Sequence, residues 1–228
     1  MSKKRSQFIP ALRYDWLTRL YDPIIRLTTR ETAFKRRLVD IAHIQTGHRI
    51  LDLGCGTGTL ALLIQKTHAD TEVFGVDADL NVLTIAQGKV VGSDSPLLLI
   101  AGLVFELPYP ANQFDRIVST LLFHHLTQEA KQRTLQETLR VLKPGGQLCV
   151  ADWGKPTNRF MRMLFFLVQL LDGFTTTTDN MKGMLPELMR DTGFAEVHEV
   201  DHLNTLFGTL RLTIAVKPLE VEKIHSRK

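Results

Sequence analysis

Short apolar runs and helical patterns alternate along the chain from about residue 48 onward. A short apolar run bounded by glycine or polar residues is typical of a buried strand, and apolar residues three and four positions apart are typical of a helix. The pattern predicts strands at 48–53, 71–77, 96–100, 114–122 and 147–152, and helices at 59–66, 79–89 and 127–142. This alternation predicts an α/β fold with a doubly wound, mostly parallel sheet.

The last third of the chain departs from this alternation. Residues 156–192 have a helical pattern that ends at Gly193, and two consecutive strand patterns follow at 195–202 and 209–217. Two strands without a helix between them predict a hairpin, which places one antiparallel strand in the sheet. Before the fifth strand, Lys143-Pro-Gly-Gly146 predicts a turn, because proline and paired glycines do not continue a helix.

Two helical segments outside this core predict a cover for a binding site. Residues 8–36 have an amphipathic pattern and predict an N-terminal helical lid, and residues 157–182 predict a helical insertion after the fifth strand. The first helix of the insertion is apolar nearly all round, so we expect it to be buried on more than one side. Core packing, a pocket for an apolar ligand and contact with a membrane surface are alternative reasons for its composition.

Composition favours a single domain over residues 1–228. The net charge of +4 arises from 28 basic and 24 acidic residues, with no basic run that is interleaved with aromatics. We therefore expect no nucleic-acid partner, while weak peripheral contact with anionic membranes stays open beside ordinary solvated charge. The cysteines, Cys55 and Cys149, are too far apart for a metal-binding motif or a disulfide framework. With no secretory signal or membrane span in the pattern, we expect a cytoplasmic protein without a metal.

The most informative segment is Ile50-Leu-Asp-Leu-Gly-Cys-Gly-Thr-Gly58, which joins the first strand to the first core helix. Its glycines either serve tight packing or let a ligand approach the backbone and the free N–H groups of the helix. A dinucleotide fingerprint would have glycine at position 59, where Thr59 stands. Asp52 would repel a pyrophosphate but attract an ammonium group. The loop therefore favours an amino-acid-bearing nucleotide over a nicotinamide cofactor.

A second acidic residue, Asp77, ends the second strand. An acid about 20 residues beyond a glycine loop is placed to accept hydrogen bonds from both ribose hydroxyls. The alternative is that Asp77 caps the following helix. Asp79 can serve as that cap, which leaves Asp77 for the ribose.

Several ordered motifs together indicate a family. They are Leu51-Asp-Leu-Gly-Cys-Gly-Thr-Gly58, Gly75-Val-Asp77, Leu107-Pro-Tyr-Pro-Ala-Asn-Gln-Phe-Asp115, His124-His-Leu126 and Arg140-Val-Leu-Lys-Pro-Gly-Gly146. Over residues 45 to 152 the chain resembles the class I S-adenosylmethionine-dependent methyltransferases, nearest the subgroup with the ubiquinone and menaquinone biosynthesis enzymes. The resemblance implies S-adenosylmethionine as cofactor and a seven-stranded, Rossmann-like sheet.

The resemblance also implies a cofactor site. It assigns the methionine part to Asp52, Gly54, Cys55 and Gly56, the ribose to Asp77, and the adenine to Ala78, with Leu103, Val104 and Thr120 completing the site. Family members commonly have Gly-Asp-Ala where this chain has Gly102-Leu103-Val104. A leucine side chain accepts no hydrogen bond from the adenine amine, so either a backbone carbonyl serves or the affinity is lower. For Cys55, a packing role is favoured over a reactive thiol.

Methyl transfer relies largely on orientation and desolvation, and it needs a base only if the acceptor must lose a proton. His125 is our candidate for that base; the alternative is that neither His124 nor His125 is catalytic. Because ligands lie beyond the carboxyl ends of such strands, we predict a substrate pocket formed by Tyr21, His125, Asp152, Trp153 and Phe166.

These observations predict methyl transfer to a small, partly apolar molecule, with lipid- and quinone-like acceptors among the candidates. The Arg-Asn pair of the quinone enzymes is missing near the histidines, so we do not assign the chain to them. The alternatives are a cofactor-binding regulator or scaffold without catalysis and a nicotinamide-dependent reductase. A nucleic-acid methyltransferase is disfavoured, because Ser119–His125 lacks the Asn/Asp-Pro-Pro-aromatic motif.

Overall fold

The computed structural model describes residues 31–91 and 97–219. The strands are β1 (Arg49–Leu53), β2 (Glu72–Asp77), β3 (Leu98–Ala101), β4 (Phe114–Thr120), β5 (Leu142–Trp153), β6 (Ala195–Thr205) and β7 (Gly208–Val216). The helices are α1 (Glu31–Ile41), α2 (Thr59–Thr67), α3 (Leu80–Val91), α4 (Gln128–Val141), α5 (Arg159–Asp172), α6 (Phe174–Lys182) and α7 (Leu185–Thr192), with a 3₁₀ turn at Phe123–His125.

All seven strands form one sheet in the order β3-β2-β1-β4-β5-β7-β6. The pairs from β3 to β5 are parallel, whereas β7 is antiparallel to both β5 and β6. The predicted fold class, including the antiparallel strand, is confirmed. The parallel strands bring the loops after β1, β2, β4 and β5 to one edge of the sheet, where most of the predicted site residues that the structure describes stand.

A hydrophobic cluster covers each face of the sheet. On one face, Leu135 of α4 and Met189 of α7 pack with strand residues. On the other face, Phe34 of α1, Ile64 of α2 and Phe165 of α5 do the same. Because helices cover both faces of the sheet, the sequences of the central strands are almost continuously apolar.

The predicted turn at 143–146 is wrong. These residues already belong to β5, which begins opposite Phe114 with a register shift before Arg116. Gly145 has a φ of +76°, and its N–H donates to the Lys217 carbonyl at 2.9 Å. The glycines therefore let the strand bend without leaving the ladder, which is the role of a bulge. At the other end, β4 stops at Thr120 instead of residue 122, because Leu121 adopts a φ of +53°.

The insertion at 157–182 forms two helices, which Gly173 separates. The prediction that its first helix is buried on more than one side is wrong. In α5 one side is buried, including Phe165 and Val168, whereas Phe160 and Leu170 are both 58% exposed. No other element of the described residues covers that outer side.

Of the predicted N-terminal lid at 8–36, only residues 31–36 are described, and they begin α1. Tyr21 lies outside the described residues. Within the described ranges, none of the helices combines the length and the apolar character that crossing a membrane requires.

Candidate functional site

The glycine loop between β1 and α2 is shaped by three positive φ angles. Gly54, Gly56 and Gly58 have φ values of +72°, +52° and +75°, a conformation that side chains disfavour. A Cβ on Gly54 would lie 2.8 Å from the Leu122 side chain, and one on Gly58 would lie 3.1 Å from the Ala86 side chain. A Cβ on Gly56 would meet nothing within 4 Å. Two of these glycines are therefore required by packing, whereas Gly56 faces open space that a ligand can enter.

Asp52 lies directly beneath this loop and is fully buried. Its Oδ2 accepts a hydrogen bond from the Ala61 N–H at 3.1 Å, but its Oδ1 has no hydrogen-bond partner among the described residues. Burial raises the pKa of Asp52 to about 7, although the charge of Lys35 opposes the shift. A buried acceptor without a partner is costly. The Oδ1 atom of Asp52 is therefore able to accept a hydrogen bond from a ligand, and an ammonium group is a suitable donor.

Lys35 of α1 stands beside the same loop. Its ammonium contacts Glu31 at 2.5 Å and also the Thr59 hydroxyl, and that hydroxyl donates to Glu31 at 3.0 Å. This trio ties α1 to the start of α2. Lys35 thus acts on Asp52 through its charge, with its own hydrogen bonds directed elsewhere.

Asp77 links the glycine loop to the start of α3. Its Oδ2 accepts from the Gly56 N–H at 2.8 Å and its Oδ1 accepts from the Asp79 N–H at 2.9 Å. Asp79 in turn accepts from the Asn81 N–H at 2.8 Å, as expected of a helix cap. Burial raises the pKa of Asp77. A carboxylate oxygen accepts more than one hydrogen bond, so these bonds leave capacity for a ribose.

Around Asp77, the residues predicted to bind adenine form the next part of the site. The Gly102 N–H donates to the Asp77 carbonyl at 2.9 Å, which holds the loop after β3 beside β2. Val104 is buried, and Leu103 is partly buried. The Leu103 side chain packs against the hydrophobic cluster that contains Leu135 and Met189. Ala78 is half-buried.

Cys55 packs beneath this region. Its Sγ lies 2.9 Å from where a Cβ of Gly75 would stand, so the thiol fills space that the glycine leaves. Burial raises the pKa of the Cys55 thiol, which disfavours the reactive thiolate.

At the ends of β4 and β5, the paired histidines have different surroundings. The His124 Nδ1 lies 2.7 Å from the Asp152 Oδ1, and both side chains are buried. Asp152 also accepts from the Phe123 and Trp153 N–H groups, at 2.6 and 2.7 Å. Asp152, a predicted pocket residue, is therefore fully engaged within the chain and fixes the 3₁₀ turn.

The ring of His125 lies against that of His124, with 3.9 Å between their centroids. Burial, and secondarily the neighbouring His124, holds the pKa of His125 well below its usual range. His125 is therefore neutral near pH 7, which leaves it a lone pair for a proton, but burial also makes it a weaker base than an exposed imidazole.

The other predicted pocket residues do not all meet. Trp153 is buried, with 6.4 Å from its ring centroid to that of His124 and 5.8 Å to that of Phe165. Phe166 instead lies on the outer side of α5, 46% exposed and 5.9 Å from the Phe174 ring. Thr120 ends β4 in a half-buried position.

Our reading of the sequence missed Lys131, a fully buried lysine in α4. Its Nζ donates to the Thr176 carbonyl at 2.8 Å and lies 3.7 Å from the Asp179 Oδ2. Nearby, the Asn180 side-chain amide donates to the Trp153 carbonyl at 3.0 Å. These bonds hold α6 against α4 and the end of β5. There α6 contacts the 3₁₀ turn at Phe123–His125, which we call the histidine turn. The signal was available, because positions 131, 134, 135 and 138 lie on one helix face.

Comparisons with known proteins agree with this geometry. The sequence model of a methyltransferase domain matches residues 50–146. A demethylmenaquinone methyltransferase of Symbiobacterium thermophilum is 28% identical, over 96% of each chain. One from Thermus thermophilus is 33% identical, over 72% of this chain and 75% of that protein. Haemonchus contortus phosphoethanolamine N-methyltransferase 2, solved with S-adenosyl-L-methionine, has the same fold at 17% identity with a TM-score of 0.69, over 92% of this chain and 58% of that one.

Proposed function

This chain belongs to the class I S-adenosylmethionine-dependent methyltransferases, and from that premise we propose that its acceptor is a small, partly apolar molecule. The observation that carries the proposal is the position of α6, which Lys131 and Asn180 hold against the histidine turn and the end of β5. That is the edge of the sheet where ligands of such folds bind. Thr176 and Thr177 of α6 and the apolar Trp153 at the end of β5 are all buried.

The residues around the glycine loop fit the cofactor. When bound, S-adenosylmethionine supplies a methyl group on a positively charged sulfonium. In our proposal the unpaired Oδ1 of Asp52 accepts from the ammonium of the methionine part, and the open side of Gly56 admits its backbone. Asp77 holds the ribose, while Ala78 and Leu103 flank the adenine. Cys55, Val104 and Thr120 support these groups.

His125 is the proposed proton acceptor at the other end of the site. It is neutral, and its ring packs against the ring of His124. The hydrogen bond between His124 and Asp152 fixes the position of that ring. An acceptor that loses a proton during methyl transfer requires such a group, whereas an acceptor that is already nucleophilic does not. We include His125 in the reaction on the condition that the acceptor is an acidic ring carbon or a hydroxyl.

Among small apolar acceptors, we propose a reduced quinone-type ring as the first to test. The support is the similarity to demethylmenaquinone methyltransferases over nearly the whole chain. The alternative is a protein that binds the cofactor without transferring its methyl group.

The test has two parts. First, calorimetry measures binding of S-adenosylmethionine, S-adenosylhomocysteine and NADH. Second, transfer of a radiolabelled methyl group is measured with a demethylated naphthoquinol that carries a short prenyl chain, with phosphoethanolamine and transfer RNA as control acceptors. Labelling of the quinol alone supports the proposal. Tight cofactor binding with no labelling of any acceptor supports the regulator, and labelling of transfer RNA contradicts a small-molecule acceptor.

A further inference from the structure

The outer side of α5 concentrates the exposed apolar surface of the protein. Among the described residues, six of the twelve large exposed apolar side chains lie between residues 160 and 174. They are Phe160, Met163, Phe166, Leu167, Leu170 and Phe174. A contiguous exposed apolar patch of this kind is uncommon on a monomer and marks an interaction site.

A further exposed apolar side chain stands on the hairpin next to α5. Phe165, on the inner side of α5, packs against Gly208 at the start of β7, 3.1 Å from where a Cβ would stand. This contact places the tip of the β6–β7 hairpin beside α5, and Leu206 at that tip is 63% exposed. The exposed Leu206 therefore belongs to an element that packs next to α5.

The charged residues that precede and begin α5 have one sign. Lys155, Arg159 and Arg162 precede or begin α5, and no acidic residue stands between Asp152 and Asp172. Arg159 is the first residue of the helix, where the helix dipole disfavours a cation. Arg159 is exposed there, so its charge is accessible to a negatively charged surface outside the chain. Arg162 donates to the Gln169 side chain at 2.9 Å, which holds it along the edge of the helix.

We propose that the outer side of α5 and the hairpin tip dock on an anionic membrane surface, with the apolar side chains in the headgroup layer and the cations against lipid phosphates. A helix with one apolar and one buried side, flanked by cations, lies in the plane of such an interface. Acidic lipids supply a negative charge for Arg159 and Arg162, which have no acidic partner among the described residues. This inference is independent of the acceptor, because it rests on residues outside the glycine loop and the histidine turn.

The experiment is sedimentation of the full chain with two kinds of vesicle, one of phosphatidylcholine alone and one of an equimolar mixture of phosphatidylcholine and phosphatidylglycerol. We expect binding to the mixed vesicles that weakens as salt is added. Replacing Phe160, Met163 and Leu167 together by serine should reduce partition about tenfold or more. Replacing Lys155 and Arg159 by glutamine should reduce it about fivefold per charge.

The matched control replaces three exposed apolar residues elsewhere, Val91, Val200 and Leu219, by serine. This variant should bind the mixed vesicles as the unmodified chain does. Circular dichroism and cofactor calorimetry should show that both triple variants fold and bind cofactor normally. The proposal is overturned if the unmodified chain binds neither vesicle, or if the α5 variant binds as well as the control. It is also overturned if light scattering shows that the α5 variant only converts a dimer to a monomer, since a second copy then covers the patch.

Discussion

At the scale of single residues, we expect the burial of Asp52 to couple cofactor binding to pH. The pKa of Asp52 in the folded chain is about 7, against an ordinary value of 3.8, because burial disfavours its charged form. Binding of an ammonium needs the charged form, so we expect cofactor affinity to fall as pH drops below about 7, by up to tenfold per pH unit. Calorimetry between pH 5.5 and 8, about the range in which this group titrates, measures the effect.

Asp52→Asn is the control, since it should bind the cofactor weakly and lose this pH dependence. The unliganded chain should show the opposite trend in stability. The unfolded chain releases the Asp52 proton at lower pH than the folded chain does, so the raised pKa reduces the free energy of unfolding as pH rises from about 4 to about 7. An affinity that is constant across this range would show that Asp52 does not contact the ammonium.

Asp77 is expected to contribute directly to cofactor affinity. In the proposed site, Asp77→Ala removes the acceptor for two ribose hydroxyls, and each charge-assisted bond contributes about 1.5–3 kcal/mol. We expect at least tenfold weaker binding in calorimetry. Because Asp77 also accepts from the Gly56 and Asp79 N–H groups, thermal unfolding must be measured in parallel. Asp79→Ala, which removes only the helix cap, is the matched control; equal losses in both variants would mean that Asp77 is structural.

Leu103 tests the adenine end of the site. If its side chain takes the place of the usual acidic acceptor, Leu103→Asp should leave cofactor affinity unchanged or increase it, because the adenine amine gains a partner. Leu103→Ala serves as the control for lost packing against the core cluster. A marked loss of affinity in a folded Leu103→Asp variant would show that the leucine packs on the adenine.

At the scale of elements, α6 is expected to control acceptor binding. Lys131→Met keeps the length of the side chain but removes its bond to the Thr176 carbonyl and its charge beside Asp179. An unpaired buried acceptor costs about 1–3 kcal/mol, so α6 should loosen against the histidine turn. We expect a higher KM for the acceptor with cofactor affinity within a few-fold of the original.

The matched control is Lys182→Met, at the exposed end of α6. It should change neither quantity. Equal losses of cofactor and acceptor affinity in Lys131→Met would indicate general unfolding of the α4 face instead.

Periodicity predicted the central elements well, because strands covered on both faces are apolar throughout and are bounded by loops. It failed where distant pairing decides the structure. Pro144 and the glycines at 145 and 146 are strong turn residues, yet the Lys217 backbone pairs with Gly145 and Gly146 and keeps this segment in β5. The exposure of the outer side of α5 could not be predicted from the local sequence pattern either, since apolar residues on a helix do not reveal whether another element covers them.

The sequence could predict those parts of the candidate site in which the backbone position restricts the choice of residue. The glycines and the acids at the strand ends could be placed from sequence, because only particular residues suit a close approach and a strand-end carboxylate. Lys131 was missed because a lysine is assigned to solvent by default. The hydrogen bond between His124 and Asp152 was missed because Asp152 lies 28 residues further along the chain. Only the pairing of β4 with β5 brings the two side chains together.

At the scale of the whole molecule, the position of β7 sets an order on biosynthesis. β5 leaves the ribosome with one edge unpaired, and the strand that covers it is the last described strand to be made, after β6 on its far side. Until residues 208–216 emerge, that open edge is available to neighbouring nascent chains, which is the usual origin of misassembly. The described sheet is therefore complete only after β7 has been made. A premature stop shortly before β7 should be as damaging as the loss of the glycine loop, although it removes no residue of the candidate site.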